Sequence, residues 1–245
     1  MILLLLFLAL APVSVLFTYV YLRDKHEREP LKYLIITFIL GIATAVPVLV
    51  ISYVLERLTG ASDTSQSWIE LGIYAFTVVA LTEEGMKYLV LRWYNYPHEE
   101  FDEPYDGIMY GVAVSLGFAA IENVLYVFTS AGGEAVSTAI VRMFTALPAH
   151  ATFGVLMGYF VGKAKFLENQ ASALGERLKG LAAAVTLHGL YDYFLFLGDA
   201  WLAGFAIVCL LIGLMLARHA MYLHTHRSPH IVKRDIPIFY DDSPE

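Results

Sequence analysis

Cysteine is almost absent from this sequence: Cys209 is the only one in 245 residues, and it lies in an apolar stretch. A single thiol excludes a framework of internal disulfides and a metal site built from thiolates. Charged residues are also scarce, at 16%, against about 25% in an average soluble domain. There is no basic cluster, and the net charge is −7. The sequence therefore gives no indication of nucleic-acid binding.

Apolar runs dominate instead, and 58% of the residues are hydrophobic. The runs have the length of about 17–25 residues that a helix needs to cross a bilayer. They predict an all-α fold, a polytopic transmembrane helix bundle that forms one integral membrane domain over residues 1–245. We predict seven spans, followed by a cytoplasmic tail at 219–245; the spans cover about 2–22, 33–55, 68–92, 106–130, 135–162, 180–197 and 201–218.

The ends of these spans predict an orientation. The first run lacks both the preceding positive charge and the small-residue cleavage site of a secretory signal, so we interpret it as a membrane span. In a seven-span bundle, all of the 16 lysines and arginines except Arg57 and Arg142 lie on one side. The positive-inside bias assigns that side to the cytoplasm. The N-terminus is then expected outside the cell membrane and the C-terminus in the cytoplasm.

Six ionisable side chains inside the predicted spans are the candidate site residues. Each costs about 2.5–3.5 kcal/mol near the bilayer centre, which indicates a function or a compensating structure. His188 and Asp192 are four residues apart and share a helix face. One interpretation is a single cluster, although Glu122 falls farther out than the others when depth is counted along each span. The six are Glu83, Glu84, Glu122, His150, His188 and Asp192.

Two further predictions concern the neighbours of these residues. Lys87 follows Glu83 by four residues and Glu84 by three, so it can pair with either. Because the i,i+4 spacing offers Glu83 the better contact, we expect Glu84 to face the site. Pro148 is expected to kink the fifth span just before His150. Arg142 is expected to be structural, by pairing with a carboxylate or positioning a carbonyl. Small residues around Gly111 and Gly117 predict a central helix.

The residue types favour hydrolysis by activated water, because no serine or cysteine nucleophile accompanies them. A glutamate would deprotonate the water, and histidine with aspartate would stabilise the oxyanion and protonate the leaving amine. The same residues are common zinc ligands, so a zinc-dependent version stays open, although there is no HExxH motif. Intramembrane carboxylates and imidazoles also suit a proton-coupled transporter. A non-catalytic scaffold, with purely structural polar groups, is the remaining alternative.

The order of these motifs resembles the PrsW family of membrane proteases, distant relatives of the CAAX-processing proteases. The resemblance rests on the polar turn Asp24–Pro30, on Glu83-Glu84-x-x-Lys87, on Asp106–Gly111, on Gly117–Asn123, on His150 and on His188–Asp192. It implies cleavage of a single-span membrane protein in the lipid bilayer. The founding member of the family cuts an anti-sigma factor in a regulated cascade.

The resemblance also implies roles for individual residues. Glu83 or Glu84 would be the general base, and His188 with Asp192 would handle the oxyanion and the proton. Two positions depart from the CAAX-type pattern, because Glu122 stands where those enzymes have histidine and Tyr88 where they have arginine. The additional carboxylate at position 122 strengthens the zinc-dependent alternative, although no cofactor follows with certainty.

Overall fold

The protein is all-helical in the part that the computed structural model describes, residues 1–24, 28–130 and 133–226. The predicted fold class is thereby confirmed, and no β-strand occurs in these ranges. The α-helices are α1 (Ile2–Tyr21), α2 (Leu31–Thr59), α3 (Trp68–Ile73), α4 (Leu81–Val90), α5 (Pro104–Thr129), α6 (Ala135–Phe144), α7 (Ala146–Lys165), α8 (Gln170–Phe196) and α9 (Ala200–His226).

The third predicted span is one continuous helical stretch, 68–95, with two changes of hydrogen-bond pattern. Tyr74–Ala80 and Leu91–Asn95 are π-helical, and they flank α4 on either side. π-helical turns are rare and occur frequently at functional sites. Here the first one ends three residues before Glu83, and nothing in the sequence pattern predicted it.

Among the described residues, five stretches are long and apolar enough to cross a membrane: Ile2–Tyr21, Leu31–Thr59, Pro104–Thr129, Ala135–Lys165 and Ala200–His226. The two other predicted spans are also helical, in 68–95 and in α8, but they contain most of the charged site residues and are not among the five. The count of seven spans and their orientation therefore stay predictions.

Two helix ends differ from the predicted bounds. Helix α8 begins at Gln170, ten residues before the predicted span, and α9 continues to His226. Residues 219–226 of the predicted tail are thus helical. The rest of that tail, 227–245, and Lys25–Glu27 of the first loop lie outside the described residues.

Helix α5 is the central helix, as its small residues predicted. Nearly all of its side chains from Tyr105 to Ala120 are buried. A Cβ on Gly111 would lie 2.3 Å from the carbonyl oxygen of Gly154 on α7, and one on Gly117 would lie 2.1 Å from that of Phe38 on α2. Glycine at these positions therefore permits the close backbone approach that fixes α7 and α2 against α5.

The fifth predicted span is interrupted, but not where the proline predicted. Thr145 leaves helical geometry and separates α6 from α7. Pro148 lies three residues later, in the first turn of α7, where its missing N–H costs no helical hydrogen bond. The interruption lies between Arg142 and His150, so that the two side chains approach the same carboxylate from different helices.

Candidate active site

A cavity of about 1080 Å³ opens within the helix bundle. Five of the six predicted site residues line it, the exception being Glu84. They belong to four helices, α4, α5, α7 and α8, and the structure brings them together in the lining of the cavity. Their catalytic roles stay predictions, but their proximity is a feature of the fold.

Lys87 contacts three members of a group of buried and half-buried polar residues, which we call the site cluster (Glu83, Glu84, Lys87, Glu122, Arg142, His150, His188 and Asp192). Its Nζ is 2.7 Å from Glu84 Oε1, 3.5 Å from Glu83 Oε2 and 3.1 Å from His150 Nδ1. The side chain is completely buried. Beneath the ammonium lies the ring of Phe118, whose centroid is 4.3 Å from Nζ, close enough for a cation–π interaction.

The expected assignment of the two glutamates is wrong. Glu84 has the shorter contact with Lys87, and it is fully buried behind the cavity wall. Glu83 lines the cavity. The i,i+3 and i,i+4 spacings both allow a contact with Lys87 on a helix. Glu84 is the one that lies inward, because it also contacts His188 on α8. Glu83 is therefore the glutamate that faces the cavity.

His188 is held between carboxylates at both ring nitrogens. Its Nδ1 is 2.9 Å from Glu84 Oε1, and its Nε2 is 3.1 Å from Asp192 Oδ2 on the next turn of α8. The predicted contact of the i,i+4 pair is present. Phe153 stacks on the imidazole with a centroid distance of 4.7 Å. The ring orientation is thus fixed from three sides.

His150 has the matching arrangement on α7. Its Nε2 is 2.9 Å from Glu122 Oε2, and its Nδ1 faces the Lys87 ammonium. Because an ammonium only donates, Nδ1 is the acceptor and Nε2 carries the proton that Glu122 accepts. The Nδ1 lone pair of His150 therefore points into the site cluster.

Glu122 is adjacent to His150 and is not displaced outward as the depth count suggested. That count assumed that all spans end at the same level. Arg142 donates to Glu122 Oε2 at 2.8 Å and to Asn123 Oδ1 at 2.7 Å, as its expected structural role requires. Asn123 in turn donates to the carbonyl of Ala9 on α1. Glu122 thus connects His150 to the surrounding helices.

The donor set has the composition of a metal site. Glu83, Glu84, His150 and His188 each offer one ligand atom, and these atoms lie within 4.8 Å of one another. Glu84 Oε2 is buried and has no hydrogen-bond partner. Both histidines have Nε2 on an outer carboxylate and Nδ1 turned inward, an arrangement that orients histidine ligands in metalloproteins. These residues therefore fit a divalent cation such as zinc.

Two aromatic residues of the site were missed at the level of sequence. Phe118 lies below Lys87, and Phe153 stacks on His188. The distance of each residue along the chain from a predicted site residue could have identified it. Phe118 precedes Glu122 by four residues and Phe153 follows His150 by three, so each shares a helix face with a predicted site residue.

A second acidic group, the cap cluster (Glu29, Asp102, Glu103, Asp106 and Tyr110), lies where α5 begins and does not line the cavity; all of its members except the exposed Asp102 are buried. Asp106 Oδ2 accepts from the backbone N–H groups of Glu103 and Asp102 at 2.7 and 3.0 Å. The hydroxyl of Tyr110 donates to Glu29. Burial raises the pKa of Glu29 to about 7, and the hydrogen bond from Tyr110 opposes that shift only in part.

The sequence of this chain is similar to those of a known protein family. The family described as PrsW family intramembrane metalloprotease matches residues 29–217. Protease PrsW of Geobacillus kaustophilus is 38% identical over 195 residues, which cover 78% of this chain and 79% of the relative. Protease PrsW of Bacillus subtilis is 37% identical over 198 residues, which cover 79% and 83%.

A more distant relative extends the match. Protease PrsW of Clostridioides difficile is 32% identical over 205 residues, which cover 84% of this chain and 83% of the relative. No solved structure matches the chain. The family match confirms the predicted peptidase activity. Together with the five helices in the described ranges that are fit to cross a membrane, it also confirms the membrane location. The chain is therefore a multi-pass membrane protease that belongs to the PrsW family.

Proposed function

We propose that this chain is a metal-dependent endopeptidase that hydrolyses a peptide bond in a single-span membrane protein. The observation that carries the proposal is the paired arrangement of the two histidines. Each has Nε2 within 3.1 Å of a carboxylate, Glu122 or Asp192, and Nδ1 directed inward. Purely structural histidines need no such matching pair of orienting carboxylates, whereas metal ligands commonly have them.

Three residues would hold the ion in this proposal: Glu84, His150 and His188. Two histidines and one glutamate are the protein ligands of several catalytic zinc sites, in which a fourth position stays open. A bound divalent ion would supply Lewis acidity toward a peptide carbonyl and an acidified water. This ligand set leaves Glu83 for proton transfer.

Glu83 is the proposed general base, because it alone of the two adjacent glutamates lines the cavity. It would accept a proton from the attacking water and deliver it to the leaving amine. Its Oε2 lies 4.0 Å from His188 Nε2, so the base is adjacent to the proposed ligand set. Asp192 would fix the orientation of His188, and Glu122 that of His150.

The volume and the lining of the cavity support a peptide substrate. A volume of about 1080 Å³ is sufficient for several residues, and most of the lining is apolar or aromatic, including Val48, Phe118 and Leu195. We also propose that the seven predicted spans surround this cavity, with the N-terminus outside. An anti-sigma factor in regulated proteolysis is the substrate type that the family resemblance suggests.

The test is cleavage of a single-span reporter by the purified chain in proteoliposomes. We expect Glu83→Gln and His188→Ala to abolish cleavage while both proteins remain folded. Glu70→Gln and His219→Ala are matched controls, because these residues are exposed and outside the site cluster, and both should cleave normally. Normal cleavage by either site variant would contradict its assigned role, and normal cleavage by both would contradict the proposal.

A further inference from the structure

Lys87 occupies an unusual position for a lysine near a candidate metal site. Its Nζ lies within 3.5 Å of Glu83, Glu84 and His150, three of the four residues that offer ligand atoms. The ammonium is thus inside the donor set and not at its edge. The general roles of the site residues do not account for this position.

The contacts of the ammonium are those that a metal ion would need. It donates toward Glu84 Oε1 and toward the Nδ1 lone pair of His150. His150 Nδ1 has a single lone pair, which cannot accept an ammonium proton and bind a metal ion at once. A metal ion bound to these ligands would lie close to the Lys87 ammonium, and the two positive charges would repel each other strongly in a buried site.

We propose that Lys87 is an internal counter-cation that competes with the metal ion for its ligands. In the metal-free protein it neutralises the buried carboxylates and holds the ligand residues together. When metal binds, the ammonium leaves the donor set. The proposal rests on the proposed metal site, and it assigns Lys87 a role distinct from that of a ligand, a base or a simple packing residue.

The physical reason for such a lysine is the cost of the empty site. Two carboxylates from adjacent residues are buried here, and a buried carboxylate without a partner is strongly destabilising. A permanent cation from the next turn of the same helix removes that cost before any metal is present. The consequence is weaker metal binding, because part of the ion's interaction with the ligands is spent on displacing the ammonium.

A zinc titration of the full-length protein in detergent distinguishes this competitor from a structural lysine. The wild type, Lys87→Gln and Lys165→Gln are stripped of metal and titrated with Zn²⁺ against a chromophoric chelator. Lys165 is a suitable control, because it bonds the carbonyls of Tyr96 and His98 outside the donor set. Thermal unfolding of each protein is measured with and without Zn²⁺.

We expect Lys87→Gln to bind zinc about tenfold or more tightly than the wild type, because a unit positive charge has been removed from the site. Its metal-free form should melt at a lower temperature, and zinc should restore the loss. The control should bind zinc as the wild type does. If Lys87 were only structural, its replacement would loosen the ligands and zinc binding would become weaker, not tighter.

Other outcomes separate the proposed role of Lys87 from the proposed metal site. If the wild type binds zinc and Lys87→Gln binds it equally or more weakly, the competitor role is wrong and the metal site stands. If neither protein binds zinc, both are wrong. Should metal-free Lys87→Gln unfold, zinc-loaded proteins are mixed with excess chelator, and slower zinc release from Lys87→Gln supports the role. Lys87→Arg keeps the positive charge, so this variant should not bind zinc more tightly than the wild type. Tighter zinc binding by Lys87→Arg would contradict the competitor role.

Discussion

The site cluster and the cap cluster both contain buried acids, yet they are constructed differently. In the cap cluster, Asp106 accepts from backbone N–H groups of its own segment, and Glu29 accepts from a tyrosine hydroxyl. In the site cluster, the acids pair with histidine, lysine and arginine side chains from other turns and other helices. Six of the eight site-cluster residues line the cavity of about 1080 Å³, and none of the cap-cluster residues does.

This contrast shows which buried carboxylates in a membrane protein indicate chemistry. An acid whose partners are local backbone groups completes a helix end. An acid whose partners are imidazoles from other helices, beside a space that a substrate can enter, has the surroundings of a reactive group. Substitutions in the two clusters should therefore separate stability from activity.

The largest effect is expected for the base of the site cluster. Glu83→Gln keeps the size of the side chain but removes its ability to accept a proton, so cleavage should fall by about 10²–10⁴-fold, the usual contribution of a general base. The melting temperature should change little. Single-turnover cleavage of the reporter measures the rate, and a loss under tenfold would exclude Glu83 as the base.

The next effect tests whether Glu122 acts through His150. Glu122→Ala removes the acceptor of the His150 Nε2 proton, and loss of such an orienting carboxylate lowers metal affinity by about 10–100-fold. Glu122→Gln retains an acceptor oxygen and should recover most of the affinity. Zinc titration measures both variants. Equal affinity for Glu122→Ala and the wild type would show that Glu122 does not orient a ligand.

A smaller effect, on stability alone, is expected in the cap cluster. Asp106→Ala leaves the N–H groups of Asp102 and Glu103 without their side-chain acceptor, which should cost about 1–3 kcal/mol of unfolding free energy. Cleavage per folded molecule should equal that of the wild type. Thermal unfolding and cleavage below the melting temperature are measured together. Reduced cleavage with unchanged stability would remove the distinction between the clusters.

Much of the fold and of the candidate site could be predicted from the sequence, because the positions of the spans depend on local apolar runs. All seven predicted spans contain helices in the structure, and the six candidate site residues needed only residue type and position. The pairing of Lys87 could not be predicted, since Glu83 and Glu84 are both within its reach and His188, about a hundred residues later, decides between them. The π-helical stretches likewise have no recognisable pattern in residue type.

A second effect on stability alone is a pH dependence in the cap cluster. The pKa of Glu29 is about 7 in the folded protein, against an ordinary value of 4.5. The folded protein thus holds this proton more tightly than the unfolded chain, so stability should fall as the pH rises from about 4.5 to about 7. Glu29→Gln should lose this component of the pH profile. Identical profiles of melting temperature for the two proteins would contradict it.

The most direct test of the account is metal content measured together with cleavage. Protein purified without chelator is analysed for metal, then assayed on the reporter before chelation, after chelation and after zinc is added back. We predict about one metal ion per chain, loss of cleavage on chelation, recovery with zinc, and no bound metal in the His150→Ala, His188→Ala double variant. Undiminished cleavage by protein shown to be free of metal would contradict the account.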